Sequence, residues 1–358
     1  MTHNYLFVMT FGLMVAALSV LPGCGKRTPS TPKKSPAPTA AAPKPASPKP
    51  DTVKPAAGRV QVADQAGDWA VVKAKVDEYK PKISKQSAAK HAAQRKAALA
   101  KVTEPSKRFK LVFGEPEDEA QEALLKALKE QGTLGKLVTH LNGTIKLKRP
   151  ILVNVTPCGE ANAFFAPADA GLDATHPSQI TLCVEFMEHM LTLFSDEEDK
   201  LADAVEQMLN VTVWTFFHEL GHALVDNFQL PITGKEEDAV DRLATLMALS
   251  LGHAGGDIAM AGAAAFALEH DQEGEEGAPL WGEHALDGQR MFDILCIMYG
   301  SDPQEFSDLV GEDGLPTERA EMCQETFASS TRAWTQLLKP YLTAAALSRL
   351  ALRLKRKN

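Results

Sequence analysis

The chain has 358 residues, of which 44% are hydrophobic, and a formal net charge of −8. This length allows one or two domains with a large buried core. Lys and Arg outnumber Asp and Glu by 17 to 6 in residues 1–106, whereas residues 107–358 carry 21 against 40. Because the larger part is acidic and carries no nucleic-acid motif, nucleic acid is not an expected partner. The basic arm could contact anionic headgroups or simply act as a solvated spacer.

The N-terminus is typical of an exported chain. Residues 1–23 contain an uncharged run from Tyr5 to Leu21, which fits the apolar core of a secretory signal better than a membrane span. The run ends at "LPGC", which resembles the lipobox of bacterial lipoproteins. The resemblance implies cleavage before Cys24 and acylation of that cysteine. We therefore expect a cell-envelope protein held to a membrane by a lipid anchor, with simple secretion or an uncleaved anchor as alternatives.

Two segments of biased composition separate this signal from the globular part. Residues 24–66 are rich in Pro, Ala and Lys and cannot bury enough apolar surface to offset the entropy of ordering, so they are predicted to form a disordered tether. Residues 67–106 are rich in Lys and Ala and are predicted to form an exposed helix interrupted at Pro81. The compact domain is predicted to cover 107–358.

The globular part changes character near residue 188. Before that point, short β-rich runs are separated by Gly, Pro and Asp turns, with one helical run, "EDEAQEALLKALKE", after the first of them. The β-rich runs are "RFKLVF", "TIKLKR", "PILVNVTPC", "ANAFFAP" and "QITLCVEF". After that point nearly the whole chain has helical periodicity. A small sheet followed by a run of helices predicts an α+β fold.

Four cysteines remain once Cys24 is assigned to the lipobox: Cys158, Cys183, Cys296 and Cys323. An even number in an exported chain predicts two disulfides, with three possible connectivities. Proximity in sequence favours the pairs Cys158–Cys183 and Cys296–Cys323. The sequence contains no CxxC pair, so a cysteine-rich metal site is not indicated.

The segment "FFHELGHALVDNF" holds two histidines, His218 and His222, four residues apart. On a helix both imidazoles leave the same face one turn apart, and two neutral imidazoles at that spacing bind Zn²⁺ in HExxH enzymes. Glu219, turned by about 100° from His218, could reach a water at the metal without being a ligand. Gly221 costs about 1 kcal/mol of helix propensity relative to alanine, which indicates the close approach of another backbone. The alternative is an ordinary amphipathic helix that contains two histidines.

A third ligand is predicted fifteen residues after His222, where Glu237 and Asp241 form an ExxxD pair on one face of a predicted helix. This arrangement is similar to that of gluzincin peptidases, in which the glutamate completes the metal shell and the later carboxylate orients a ligand histidine. An acidic helix start favoured by the helix dipole is the alternative, although it does not explain Asp241 inside an apolar stretch. Glu236 could replace Glu237 as the ligand.

Four segments occur in a characteristic order across about 107–335: "PCGEANAFF", "ITLCVEF", "FFHELGHALVDNFQLPITGKEEDAVDRLA" and "WGEHALDGQRMFDILCIMYGSDP". Together they resemble a family of secreted bacterial metallopeptidases, domain of unknown function 4344. The resemblance implies a zincin-like domain with His218 and His222 as metal ligands and Glu219 as the base. It also implies that the third ligand is a glutamate of "EED". It implies a reaction class and no substrate.

A second polar cluster, "WGEHALDGQR", begins a predicted helix. A zinc hydrolase needs a donor directed at the oxyanion of the tetrahedral intermediate, and His284 or Arg290 could supply it. Helix capping and a polar surface are the alternative explanation. Asn162, in "ANAFF", could line an edge strand that holds an extended substrate by β-augmentation.

These features predict an exported zinc hydrolase with one Zn²⁺ per chain and a peptide or protein substrate. Glu219 would take a proton from the attacking water and pass it to the leaving amine. Two alternatives share the same site. One is a catalytically silent, zinc-containing binding module of the cell envelope, and the other is a zinc amidase that acts on cell-wall material.

Overall fold

The computed structural model describes residues 108–168, 177–197, 200–273, 281–311, 314–344 and 346. The predicted signal peptide, tether and exposed helix of residues 1–106, together with Cys24, lie outside the described residues. The described residues all belong to one unit, 46–358. Within them, no helix is both long enough and apolar enough to cross a membrane.

A four-stranded mixed sheet forms from the first part of the described chain. Its strands are β1 (Phe109–Phe113), β2 (Ile151–Thr156), β3 (Ala163–Ala166) and β4 (Ser178–Cys183). The order across the sheet is β1-β2-β4-β3, in which β1, β2 and β4 are parallel and β3 pairs antiparallel with β4 at one edge. The two central strands, β2 and β4, are almost entirely buried, as expected for strands that are covered on both faces.

Helices dominate the rest of the described chain, which confirms the predicted α+β fold. They are α1 (Glu119–Gln131), α2 (Thr133–Thr144), α3 (Val184–Ser195), α4 (Leu201–Phe228), α5 (Glu236–Leu249), α6 (His253–Glu273), α7 (Asp287–Ser301), α8 (Thr317–Ala320) and α9 (Cys323–Leu338). The strand predicted for "TIKLKR" is wrong, because this run forms only one isolated bridge, Ile145 to Leu342. Its alternating pattern arises because Ile145 and Leu147 are both buried.

The long helix α4 lies at the centre of the fold. It packs against α3, α5 and α6 and against strands β3 and β4. A helix covered on most sides needs apolar residues around most of its circumference. Three large side chains in its second half, Phe216, Phe217 and Leu220, are accordingly buried in the core. The two histidines of the HExxH motif therefore leave a helix that is held on several sides.

Both predicted disulfides are present. One joins Cys158, after β2, to Cys183 at the end of β4, and the other joins Cys296 of α7 to Cys323 at the start of α9. The carboxylate of Glu185 accepts hydrogen bonds from the backbone N–H groups of Cys158 (2.9 Å) and of the following glycine (2.7 Å). These bonds fix the loop that leads into β3. Two disulfides are compatible with an exported protein.

Gly221 permits the close contact between α4 and α5. A Cβ atom at this position would lie 2.7 Å from the Cβ of Val240 on α5 and 3.4 Å from its Cα. The absence of a side chain at this position therefore lets a neighbouring helix approach closely, as the sequence predicted from the presence of a glycine inside a helix. The contact brings the acidic first turn of α5 beside the histidines of α4.

Replacing Gly221 with alanine should destabilise the protein by about 1–3 kcal/mol, because the added methyl group forces α4 and α5 apart. Gly143→Ala is the matched control, since no described atom lies within 4 Å of a Cβ built at this position of α2. That control should be neutral or should stabilise the protein by up to about 1 kcal/mol. Thermal unfolding of both variants measures the difference. Equal effects of the two substitutions would contradict the packing described here.

Candidate metal centre

Three side chains bring one potential ligand atom each to a single point between α4 and α5. The Nε2 atoms of His218 and His222 lie 3.3 Å apart. Oε2 of Glu237 lies 3.2 Å from the first of these nitrogens and 3.4 Å from the second. The structure therefore brings the three predicted ligands together, with their potential donor atoms in mutual proximity.

The spacing of these atoms fits a tetrahedral metal ion. Zinc is bound at about 2.0–2.2 Å by nitrogen and carboxylate oxygen, so the ligand atoms of a tetrahedral site lie about 3.3–3.6 Å apart. Two of the three separations fall in this range and the third is 0.1 Å shorter. Oε2 of Glu237 is buried and receives no hydrogen bond of good geometry from the described residues. A cation would satisfy this oxygen, because a buried anionic acceptor is costly without a partner.

Each histidine is oriented by its own carboxylate. Nδ1 of His218 lies 2.7 Å from Oδ1 of Asp241, and Nδ1 of His222 lies 2.8 Å from Oε1 of Glu236. A carboxylate on Nδ1 holds the proton there and leaves the lone pair of Nε2 for a metal. The two adjacent glutamates thus make different contacts. Glu236 contacts Nδ1 of His222, whereas Glu237 lies beside the Nε2 atoms of His218 and His222.

Arg290 of α7 supports the carboxylate behind His218. Its Nε and Nη2 atoms donate two hydrogen bonds of 2.8 Å to the two oxygens of Asp241. Its guanidinium also lies 4.0 Å above the ring of Phe266. Burial opposes the ionisation of Asp241, but Arg290 and His218 outweigh burial and lower the pKa of this carboxyl. Arg290 therefore contacts Asp241, and Asp241 in turn contacts His218, whose Nε2 is one of the three potential ligand atoms.

The imidazoles and the carboxylates of the centre shift one another's pKa values in opposite directions. Burial alone would lower the pKa of His218, but its contacts with Asp241 and Glu237 outweigh burial and raise it to about 9. Burial also opposes the ionisation of Glu237, yet His218, His222 and His284 together lower the pKa of this carboxyl. Protons and a cation therefore compete for the same Nε2 atoms, and binding of a metal should release protons.

Glu219 lies beside the three ligand atoms without being one of them. One of its oxygens is 4.0 Å from Nε2 of His218, and its side chain is buried. Burial raises the pKa of its carboxyl, although the neighbouring histidines and the backbone N–H of Phe165 on β3 oppose this increase. A buried carboxylate that is raised in basicity and adjacent to a metal site is suited to accept a proton.

His284 approaches the centre from the solvent side. Its Nε2 lies 3.0 Å from Oε2 of Glu237, and 56% of its side chain is exposed. It belongs to the short segment that precedes α7, which Lys235 contacts through a 3.1 Å hydrogen bond from Nζ to the carbonyl oxygen of Gly282. His284 is thus close to the proposed ligands but much more accessible than they are.

A cavity of about 390 Å³ lies next to His222 and Glu237. The residues that line it are His222, Lys235, Glu236, Glu237 and Glu283. His222 and Glu237 therefore border a space that a small molecule or a side chain could enter.

The sequence analysis missed two contributors to the centre. Trp214 stacks against the ring of His218 with 5.9 Å between ring centroids, and its Nε1 donates to Oγ1 of Thr245 on α5. Its position four residues before His218 on the same helix face is a signal that could have identified it. The backbone N–H of Phe165 carries no such signal, because it is a main-chain group. Asn162, predicted to line an edge strand, directly precedes β3, which is an edge strand of the sheet.

Comparison with known families gives one match. A family model described as "Putative metallopeptidase" (domain of unknown function 4344) matches residues 113–338, a range that contains the whole centre and both disulfides. No curated protein matches the chain, and no solved structure does.

Glu236→Gln should weaken metal binding by about 10-fold or more, because the amide no longer holds the proton on Nδ1 of His222 as a carboxylate does. Glu283→Gln provides the matched control, since it makes the same change on an exposed side chain of the same cavity. The control should change affinity by less than about 3-fold. Competition with a chromophoric chelator measures both constants. Equal losses in the two variants would mean that only the local charge matters.

Proposed function

The chain belongs to the metallopeptidase family that this match defines, and we propose that it is an exported zinc peptidase. The observation that carries the proposal is the meeting of three ligand atoms 3.2–3.4 Å apart, with a carboxylate behind each histidine. A metal site requires several donor atoms around one point, and these three side chains meet that requirement. Two imidazoles and one carboxylate are a donor set typical of catalytic zinc.

A zinc ion held by these residues would supply Lewis acidity, which lowers the pKa of a water molecule towards about 7 and polarises a carbonyl group. Glu219 would accept a proton from the attacking water and later deliver it to the leaving amine. Its buried position supports this role, because burial raises the pKa of its carboxyl. His218, His222 and Glu237 would hold the metal.

His284 is the better of the two predicted oxyanion donors. It is exposed, and its Nε2 lies 3.0 Å from the carboxylate oxygen of Glu237 that faces the metal position. A donor at that edge of the centre could stabilise the charge that develops on the substrate oxygen. Arg290 instead fits a positioning role, because its hydrogen bonds to Asp241 hold that carboxylate on His218.

Two features support hydrolysis over a structural role for the metal. A structural zinc site is usually closed by a fourth Cys or His ligand. The four cysteines of the described part are paired in disulfides, so none offers a thiolate. In addition, a cavity opens next to His222 and Glu237 and gives a substrate room to approach.

The proposed substrate is an extended peptide or protein segment. Strand β3 is an edge strand that packs against α4, the helix that carries the histidines. An edge strand can bind a peptide through main-chain hydrogen bonds. A zinc amidase that acts on cell-wall material would use the same metal site, and turnover of unstructured peptides but not of muropeptides would separate the two activities. The lipid anchor at Cys24 remains a prediction that would place this activity at a membrane surface.

Glu219→Gln should retain the metal but lower kcat by at least about 100-fold, because the amide cannot accept the proton. Glu122→Gln, the same change on an exposed residue of α1, should leave kcat unaltered. Both variants are assayed with a casein or peptide-library substrate, and their metal content is measured in parallel. Full activity of Glu219→Gln would refute the proposed mechanism.

A further inference from the structure

Five side chains from the four helices α4 to α7 contact one another in a closed loop that includes His218. The ring of Trp214 stacks on His218 with 5.9 Å between centroids, and Phe266 of α6 lies nearly perpendicular to Trp214 at 5.5 Å. The guanidinium of Arg290 lies 4.0 Å from the centroid of the Phe266 ring. The hydrogen bonds of Arg290 to Asp241, and the 2.7 Å contact of Asp241 with Nδ1 of His218, close the loop. Phe266 therefore reaches His218 by two routes, one through an aromatic ring and the other through an ion pair.

We propose that Phe266 is a positioning residue for His218, an inference that rests on the proposed peptidase function. A guanidinium is planar, and an aromatic ring this close restricts its rotation. Once the guanidinium is held, its two hydrogen bonds fix the plane of the Asp241 carboxylate, and that carboxylate orients the imidazole. Only 11% of the Arg290 side chain and 6% of the Asp241 side chain are exposed, so water competes little with these contacts.

Helix α6 carries a second residue that fits this arrangement. Gly262 lies about one turn before Phe266, on the same face of the helix. A Cβ atom at Gly262 would lie 2.8 Å from Cγ and Cδ2 of Trp214, so the missing side chain leaves room for that ring against α6. Trp214 is also held by the hydrogen bond from its Nε1 to Thr245. The route through Arg290 should therefore carry most of the effect of Phe266.

Phe266→Leu should weaken zinc binding by about 10-fold, because leucine keeps an apolar side chain but offers no ring to the guanidinium. Phe113→Leu is the matched control, since Phe113 of β1 is also half-buried and its ring also lies near a cation, 5.2 Å from Nζ of Lys129. The control should change zinc affinity by less than about 3-fold. Competition with a chromophoric chelator measures both constants, and thermal unfolding shows that both variants are folded. Equal changes of zinc affinity in the two variants would overturn the proposal.

Double variants identify the route from Phe266 to the imidazole. Arg290→Lys keeps the positive charge but cannot make two parallel hydrogen bonds to Asp241. In this background, Phe266→Leu should weaken zinc binding by only about 3-fold or less. In the Glu236→Gln background it should still weaken zinc binding by about 10-fold, because Glu236 contacts the other histidine, His222. The same loss in both backgrounds would overturn the proposal.

Exchange of the Arg290 Nε proton tests the same contacts without activity and without a metal. In the full-length, ¹⁵N-labelled chain without added zinc, this NMR signal is assigned by its loss in Arg290→Lys. The proton should exchange with water at least about 10-fold faster in Phe266→Leu, because its hydrogen bond to Asp241 opens more often, and should change by less than about 3-fold in Phe113→Leu. Unaltered exchange in Phe266→Leu would overturn the inference even in an active enzyme. Faster exchange in a protein that binds no zinc would support the loop of contacts and would overturn only the proposed function.

Discussion

A buried carboxylate joins three helices at the centre of this protein. Asp241 of α5 lies between the imidazole of His218 on α4 and the guanidinium of Arg290 on α7, with contacts of 2.7 and 2.8 Å. Removing one partner would leave a charge buried without compensation, which typically costs about 3–5 kcal/mol. The same contacts that hold the three helices together therefore set the orientation of a proposed metal ligand.

The sheet contributes to the centre in a different way. Its edge strand β3 packs against α4, the helix that carries Glu219, and the disulfide between Cys158 and Cys183 links the loop before β3 to the neighbouring strand. The helices provide the two histidines and the third carboxylate. Because the proposed base and both histidines lie on α4, the packing of α4 against β3 sets where the edge strand lies relative to all three side chains.

Local periodicity made much of this arrangement predictable. The four-residue spacing of His218 and His222 places both rings on one helix face wherever the helix lies. The pairing of the cysteines followed from proximity in the chain. By contrast, Glu236 and Glu237 are adjacent on α5 and point in directions about 100° apart. Which of them meets the Nε2 atoms depends on the rotation of α5, and that rotation is set by tertiary packing.

Other features depended on contacts that a sequence does not display. Arg290 was predicted as an oxyanion donor because it is a cation in a polar cluster, but the structure pairs it with Asp241, 49 residues earlier. The run around Ile145 has the alternating pattern of a strand. Among the described residues, however, it pairs with a neighbouring segment only at Ile145, which forms a bridge with Leu342. The Phe165 N–H could not be singled out, because every non-proline residue carries the same group.

Metal content tests the central claim most directly. The purified protein, with its disulfides intact, should contain one zinc ion per chain by elemental analysis, and Glu237→Ala should lose it. Glu122→Ala, an exposed control on α1, should keep it. Absence of zinc from the unaltered protein under zinc-replete conditions would contradict the account. Retention of zinc by Glu237→Ala would move the third ligand elsewhere and would contradict the assignment of Glu237.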